Sequence, residues 1–341
     1  PAAPGISKPW TGGVLNLGWA ANTETDLKDY QVRRASYSGF ADVDMVIAAT
    51  ILAPNTTHQD GGLANATTYY YKIIARDTAG NASVFGFQNW GTPGQDLTAP
   101  LAGVTSPAAN AFINGLTTIS GTSSDGQSGV TNVSLRILRT SDNYYWGGGS
   151  WVGPVSSVAV VGTTAWTYTG LSGANLTNGT TYQTQVWATD AVSNAGTVVT
   201  STFTFDTSVP VSLVTTPAGG SRTNNLITIS GTSSDTSPGS VSTVQVQIKR
   251  NSDTYYWDGF TWGGPGTWLS GTGTTNWTLS GSSLPVWVDG SSYTVASRAQ
   301  DTAGNVETPG AGNTFTFDTT APGAPAGVGV TNPWSGGVLN L

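Results

Sequence analysis

Few side chains in this sequence have the chemistry to act as catalysts. Among 341 residues there are 19 Asp and Glu, one His and no Cys. A hydrolytic triad needs a base, usually histidine. The one histidine, His58, sits in "NTTHQD", and its residue type and setting fit packing. No Gly-x-Ser-x-Gly elbow is present, and no P-loop or dinucleotide fingerprint. Glycosidase chemistry needs paired carboxylates in a cleft. The only two glutamates, Glu24 and Glu307, fall in turn-like or linker-like text. Two groups remain that bind rather than react: aspartates, which offer hard oxygen ligands, and 13 tryptophans.

The elements that must position them follow from composition. Lys, Arg, Asp and Glu make up 9% of the chain, against roughly 25% in an average soluble protein. Thr, Ser, Asn and Gly carry the solubility, and these residues suit strands and turns better than helices. The net charge is -7 with no basic stripe, which argues against a nucleic-acid partner. No apolar run approaches the roughly 18 residues of a membrane helix. The absence of cysteine leaves the compartment open, because secreted chains need not carry disulfides.

Internal repeats organise the chain. Pro325–Leu341 ("PAGVGVTNPWSGGVLNL") aligns without gaps to Pro1–Leu17 ("PAAPGISKPWTGGVLNL") at an offset of 324, with 11 of 17 positions identical. A periodic parent polypeptide is expected from this, of which the present chain is an excised piece. A second repeat lies inside. "TTISGTSSD" (Thr117–Asp125) returns as "ITISGTSSD" (Ile227–Asp235), "YYWGGGSW" (Tyr144–Trp151) as "YYWDGFTW" (Tyr255–Trp262), and "TFTFDT" at Thr202 returns at Thr314. The offset stays at 110 to 112. "DLTAP" (Asp96–Pro100), "DTSVP" (Asp206–Pro210) and "DTTAP" (Asp318–Pro322) punctuate the units, and proline there makes short, semi-rigid joints.

Apolar residues alternate with period two, as in half-buried strands. Leu15, Leu17 and Trp19 share one face, as do Tyr69, Tyr71, Ile73 and Ala75; Val133, Leu135 and Ile137 alternate like Val244, Val246 and Ile248. With "LNLGW", "DLKDYQVRRA" and "GLANATTYYYKIIARDTAGNAS", the first segment resembles a fibronectin type III domain, and Tyr69 fits that family's tyrosine corner. "TISGTSSD", the Trp hairpin, "NGTTY"/"DGSSY" and "TFTFDT" resemble bacterial immunoglobulin-like repeats of large surface proteins. The resemblance implies an all-β chain of tandem immunoglobulin-like β-sandwiches in a linear array. Its parts would be a fibronectin type III-like domain at 1–97, two bacterial immunoglobulin-like domains at 98–207 and 208–320, and the start of a further fibronectin-like repeat at 321–341.

In such sandwiches the BC and FG loops lie beside the incoming linker. This topology gathers Asp96, Asp125 and Asp190 at the head of the second domain, and Asp206, Asp235 and Asp301 at the head of the third. Asp318 would meet the loops of the next repeat. Three carboxylates with turn carbonyls suit calcium, which takes six to eight oxygens. The alternative is that each Asp caps a turn or strand end. The text "D-x-A-G-N" (Asp77–Asn81, Asp301–Asn305, with "DAVSN" at Asp190–Asn194) reads first as a tight turn with positive φ.

The hairpin aromatics Tyr145, Trp146, Trp151, Tyr256, Trp257 and Trp262 are open to three readings. They form a lid over a sheet edge, a contact surface for a neighbouring domain or chain, or a sugar-stacking platform. Covalent Lys–Asn stapling is excluded in the second domain, which has no lysine, and the third has only Lys249. Seven Asn-x-Ser/Thr sequons, Asn65, Asn81 and Asn178 among them, are glycan acceptors only in a host that uses them.

The expected function is a non-catalytic segment of a long extracellular bacterial stalk, fibre or filament, partnered by its own neighbouring repeats. An adhesive or glycan-binding module is the alternative, with cell-surface glycans or proteins as partners. Accessory domains of a larger secreted hydrolase are the third reading. A covalent polymer is favoured over separate chains joined by strand donation from Gly323–Leu341.

Overall fold

A computed structural model describes residues 3–37, 41–264 and 266–327. These residues are all-β, with 27 strands, three single-turn 3-10 segments and no α-helix among them. The chain divides into two compact units. The first comprises Pro1–Ala111, Gly115–Leu176 and Thr180–Thr204, and the second Phe112–Asn114, Thr177–Gly179 and Phe205–Leu341. The expected further repeat at 321–341, and with it the strand-donation reading, lies mostly outside the described residues.

In the first unit, strands β1 (Gly5–Ser7), β2 (Leu15–Gly18), β3 (Leu27–Ala35), β4 (Val46–Leu52), β5 (Thr57–Asp60), β6 (Tyr69–Asp77) and β7 (Asn89–Gly91) make two sheets, ordered β1-β2-β5 and β4-β3-β6-β7. The alternating residues meet between them. Leu15, Leu17 and Trp19 pack with Tyr30, Val32, Tyr71, Ile73 and Ala75 in one core, and Trp19 stands edge-on to Tyr30 at 5.5 Å. The Ala64 N–H donates to the Tyr69 hydroxyl at 3.0 Å, the corner expected of this fold. Buried charge is paired here. Asp29 accepts two 2.7 Å bonds from Arg76, and Asp60 accepts from Arg34 and the Tyr71 hydroxyl.

The chain continues with β8 (Leu101–Ser106), β9 (Ala111–Ile113), β10 (Ile119–Ser124), β11 (Val130–Arg139), β12 (Tyr144–Trp146), β13 (Trp151–Val152), β14 (Val158–Ala159), β15 (Ala165–Tyr168), β16 (Thr180–Asp190) and β17 (Val199–Phe205), all in the first unit except Phe112, Ile113 and Phe205. Their sheets are β15-β10-β8 and β13-β12-β11-β16-β17-β9, with β14 on β11. Strands β11 and β16 pair from Arg139↔Tyr182 to Val130↔Asp190, which brings Asp190 to the end of its strand beside the β10–β11 loop.

The second unit repeats this plan with β18 (Val211–Thr216), β19 (Arg222–Thr223), β20 (Thr228–Ser234), β21 (Val241–Arg250), β22 (Tyr256–Trp257), β23 (Trp262–Gly263), β24 (Leu269–Ser270), β25 (Asn276–Ser280), β26 (Ser292–Asp301) and β27 (Asn313–Phe317). The sheets are β18-β20-β25 and β19-β27-β26-β21-β22-β23, with β24 on β21. Ile229, Trp277 and Leu279 of the small sheet pack against Val244, Val246, Ile248, Tyr293, Val295 and Phe315 of the large one.

One glycine in each repeat makes this packing feasible. Gly121 lies opposite Trp166 and Gly231 opposite Trp277, and both indoles are fully buried. A Cβ at 231 would collide with the Leu213 carbonyl and with the Trp277 ring; at 121 it would meet the Gly103 carbonyl and Trp166. "TISGTSSD" therefore keeps its glycine for want of space, and its φ is not positive. Overpacking of a core costs about 1–3 kcal/mol. Because backbone and ring both block the site, Gly231→Ala should cost about 3 kcal/mol or more. Calorimetry should show the transition of the second unit falling while that of the first is kept; equal loss in both would contradict independent cores.

Candidate metal centre

The sequence-predicted aspartates converge in two groups. Carboxylate oxygens of Asp96, Asp125 and Asp190 lie within 4.8 Å of one another, and so do those of Asp206, Asp235 and Asp301. Each group is assembled from the segment ahead of a sandwich, the end of a small-sheet strand and the end of a long strand. Asp125 directly follows β10 and Asp235 follows β20, whereas Asp190 and Asp301 are the last residues of β16 and β26. Four of the six are essentially buried: Asp96, Asp190, Asp206 and Asp301. The first group lies wholly in the first unit and the second wholly in the second.

The "D-x-A-G-N" text supplies a clasp. Asn194 donates its N–H to Asp190 Oδ1 at 2.8 Å and its side-chain amide to Oδ2 at 2.7 Å. Asn305 does the same to Asp301, at 2.8 and 2.7 Å. The turn also holds the third carboxylate segment: Asn194 Nδ2 donates to the Asp96 carbonyl, and Asn305 Nδ2 to the Asp206 carbonyl. Asp77 and Asn81 form this clasp too, at 2.8 Å for both bonds, with no group of three acids around it among the described residues.

The donor set is oxygen alone, which selects hard cations over zinc or copper. Calcium with ligands at about 2.3–2.6 Å has opposed oxygens about 4.6–5.2 Å apart, so its shell encloses the observed span. Two features of the second group fit a cation and not a set of caps. Asp206 is 0% exposed, yet its Oδ2 has no hydrogen-bond partner, and neither has the buried Oδ2 of Asp235. Both oxygens crowd the face of Gly239, where a Cβ would collide with Asp206 Oδ2 and lie 2.6 Å from Asp235 Oδ2. A surface hollow lined by Ser233, Asp235, Gly239, Ser240 and Thr274 leads to this group. Three carboxylates plus a divalent cation leave one net negative charge, where the bare group carries three.

The aromatic hairpins are placed differently from the expectation of a contact surface. Trp146 is 2% exposed and donates its indole N–H to the Tyr168 hydroxyl; Trp257 is 8% exposed and donates to the Ser283 carbonyl. Both are core residues, so their faces are not available to a partner. Trp151 and Trp262 are half-buried, each between a core tyrosine (Tyr182, tilted at 32°, and Tyr293, stacked) and a guanidinium, Arg139 at 4.8 Å and Arg250 at 4.7 Å. Tyr145 and Tyr256 are half-buried as well. The exposed aromatics of the hairpins are Tyr144, Tyr255 and Phe260.

No family profile matches the chain. A stretch of 86 residues, 24% of the chain, is 37% identical to Exoglucanase B of Cellulomonas fimi and spans 7% of that protein's length. The chain is similar to the FN1–FN3 domains of chicken CNTN1, with 14% identity, a TM-score of 0.38, and 94% of this chain and 98% of that one covered. It is also similar to the fibronectin(III)-like modules of Clostridium thermocellum CbhA, with 14% identity, a TM-score of 0.33, and 64% and 93% covered. The two structural likenesses are to fibronectin-type modules. Among the described residues no helix is long and apolar enough to cross a membrane.

Electrostatics distinguish the carboxylates. Burial pushes the Asp235 carboxyl above its ordinary range; the Thr236 N–H opposes it, and the charges of Asp301 and Asp206 add smaller pushes upward. A raised folded pKa means that the folded chain holds this proton to higher pH than the unfolded chain. Its contribution to stability is complete below the ordinary aspartate value and is lost as pH rises through the folded value. In chelator at about pH 7, Asp235→Asn should therefore melt a few degrees higher than the wild type in the second unit. The gap should close as pH is lowered towards about 4. Thermal melts across pH check this, and a variant less stable than wild type throughout would contradict it.

Proposed function

We propose that this chain is a non-catalytic structural segment of a long extracellular bacterial protein, built from β-sandwich modules in series and braced at their loops by calcium. The modules are read as one fibronectin type III-like domain, 1–97, and two bacterial immunoglobulin-like domains, 98–207 and 208–320. The observation that carries the proposal is the buried aspartate triad repeated at an offset of 110 to 111 residues, with Asp206 Oδ2 buried and unpartnered. Capping alone explains carboxylates that face N–H donors. It does not explain a fully buried anionic oxygen facing other anions, which costs several kcal/mol if uncompensated.

Calcium suits an extracellular role on simple grounds. Extracellular modules bind it at about 10⁻⁴–10⁻³ M, so such sites fill outside the cell. Filled, they convert mutual repulsion among three loop segments into attraction. A loop-rich head of a sandwich becomes stiff, which a load-bearing array needs. Stability in such arrays is a sum over modules and their junctions.

A second reading draws on the likeness to Exoglucanase B: the modules are spacers of a larger secreted hydrolase. It shares the structural role and differs in what the array carries. The sequence of the parent polypeptide separates the two.

Metal analysis of protein purified without chelator should find calcium, and EDTA should lower the melting temperature. Ligand linkage gives about 3–4 kcal/mol of stabilisation at calcium concentrations roughly 100–1,000 times Kd. Protein free of calcium, with a melt indifferent to EDTA, would overturn the calcium part of the proposal.

A further inference from the structure

We infer that the two aspartate triads are unequal: Asp206–Asp235–Asp301 is a tight divalent-cation site, and Asp96–Asp125–Asp190 is a weaker one that the backbone has already largely neutralised. The inference rests on the calcium reading above and adds a ranking to it.

The difference lies in the loops that follow Asp125 and Asp235. The β11 pair Val130↔Asp190 corresponds to the β21 pair Val241↔Asp301. Counting back from the two valines, Ser128 stands where the other repeat has Gly239, and "DGQSGV" is one residue shorter than "DTSPGSV". The short loop turns its amides onto the carboxylates. Asp125 Oδ2 accepts from the N–H groups of Gln127 at 3.0 Å and Gly129 at 2.7 Å, and Asp96 Oδ2 accepts from that of Ser128 at 2.9 Å. Thr98 N–H adds a bond to Asp96 Oδ1, and Val192 and Asn194 N–H add two to Asp190. Six backbone donors thus serve the first triad.

The longer loop leaves its amides elsewhere. The second triad receives three backbone donors: Ser208 on Asp206, Thr236 on Asp235 and Asn305 on Asp301. Two buried carboxylate oxygens, Asp206 Oδ2 and Asp235 Oδ2, have no partner, against one in the first triad, Asp125 Oδ1. An amide N–H aimed at a carboxylate oxygen does two things to a cation. It stabilises the metal-free anion, and it places a positive dipole end next to the incoming charge. The first triad therefore gains less from a cation and repels it more.

The consequence is a graded response. As calcium rises, the second unit is braced first and the triad of the first unit follows at higher concentration.

The test is isothermal titration of the metal-stripped chain with calcium chloride, with near-UV circular dichroism to establish folding. Two classes of site separated by about tenfold or more are expected. Asp235→Asn should abolish the tighter class and Asp125→Asn the weaker. Should Asp235→Asn fail to fold, a chain carrying Thr236–Ser240 in place of Gly126–Gly129 decides: its weak class should tighten by about tenfold. Two sites of equal affinity, loss of the tighter class in Asp125→Asn, or no tightening in the exchanged loop would overturn the ranking and leave calcium binding intact. An absence of calcium binding altogether would overturn both.

Discussion

Like charges brought together in a buried space must be compensated, and each sandwich head here is built around that requirement. Three segments distant in sequence each bring one carboxylate to a common point. Unit charges less than 5 Å apart repel by about 3–4 kcal/mol per pair at an effective dielectric near 20. Nothing in the packing of the strands forces this expense, because the cores lie between the sheets and consist of Ile, Val, Trp, Tyr and Phe. Two remedies are at hand, amide dipoles and a bound cation. Amide donors serve the two repeats unequally, six against three, and the loops after Asp125 and Asp235 differ by one residue in length.

The paired charges near β3 and β6 form a useful contrast. Asp29 meets the Arg76 guanidinium in a two-pronged pair, and Asp60 is shared by Arg34 and the Tyr71 hydroxyl. Burial and the bond to Asp60 push the Tyr71 phenol far above its ordinary value, so it stays a donor. Each buried carboxylate there has a protein cation beside it. Among the described residues the triads have none, although arginine is a partner elsewhere, on Asp142, Asp253 and Asp318. Counter-charge is thus withheld at the two points where topology concentrates anions.

Much of this was legible in the sequence. Period-two alternation placed Leu15, Leu17, Tyr71, Ile73, Val133 and Val244 in the cores, because a strand that buries one face has no other option. The aspartate groups were legible for a topological reason. Once a segment is read as a sandwich of this type, the ends of its strands are fixed in space, and residues about 30, 65 or 95 apart become neighbours. The hairpin aromatics resisted the same logic. Strands β12, β13, β22 and β23 are two or three residues long, too short for alternation to say which ring turns inward. Trp146 and Trp257 are buried because each finds a polar partner for its indole N–H inside the sandwich. No spacing rule carries that information. Glu307 was likewise hidden: it reads as a linker residue, yet its carboxylate accepts from Ser212 and from the Ala299 N–H. The ranking of the two triads depended on where individual amides point, which only coordinates supply.

The turn reading and the ligand reading of "D-x-A-G-N" were posed as alternatives, and the geometry makes them compatible. A carboxylate has about four lone-pair sites. In the clasp, Asn305 takes one site on each oxygen of Asp301, which fixes the carboxylate plane and leaves capacity towards Asp206 and Asp235. Asp77 shows the clasp at work where no triad surrounds it, so turn formation is sufficient to account for the motif by itself. What converts a turn into a ligand is its company: an aspartate arriving from the preceding segment and another from the end of the small sheet. Around Asp77 no group of three acids closes to within 4.8 Å among the described residues, although Glu24 and Asp26 line the same surface hollow. At Asp190 and Asp301 that company comes from residues some 65 and 95 positions upstream in the chain.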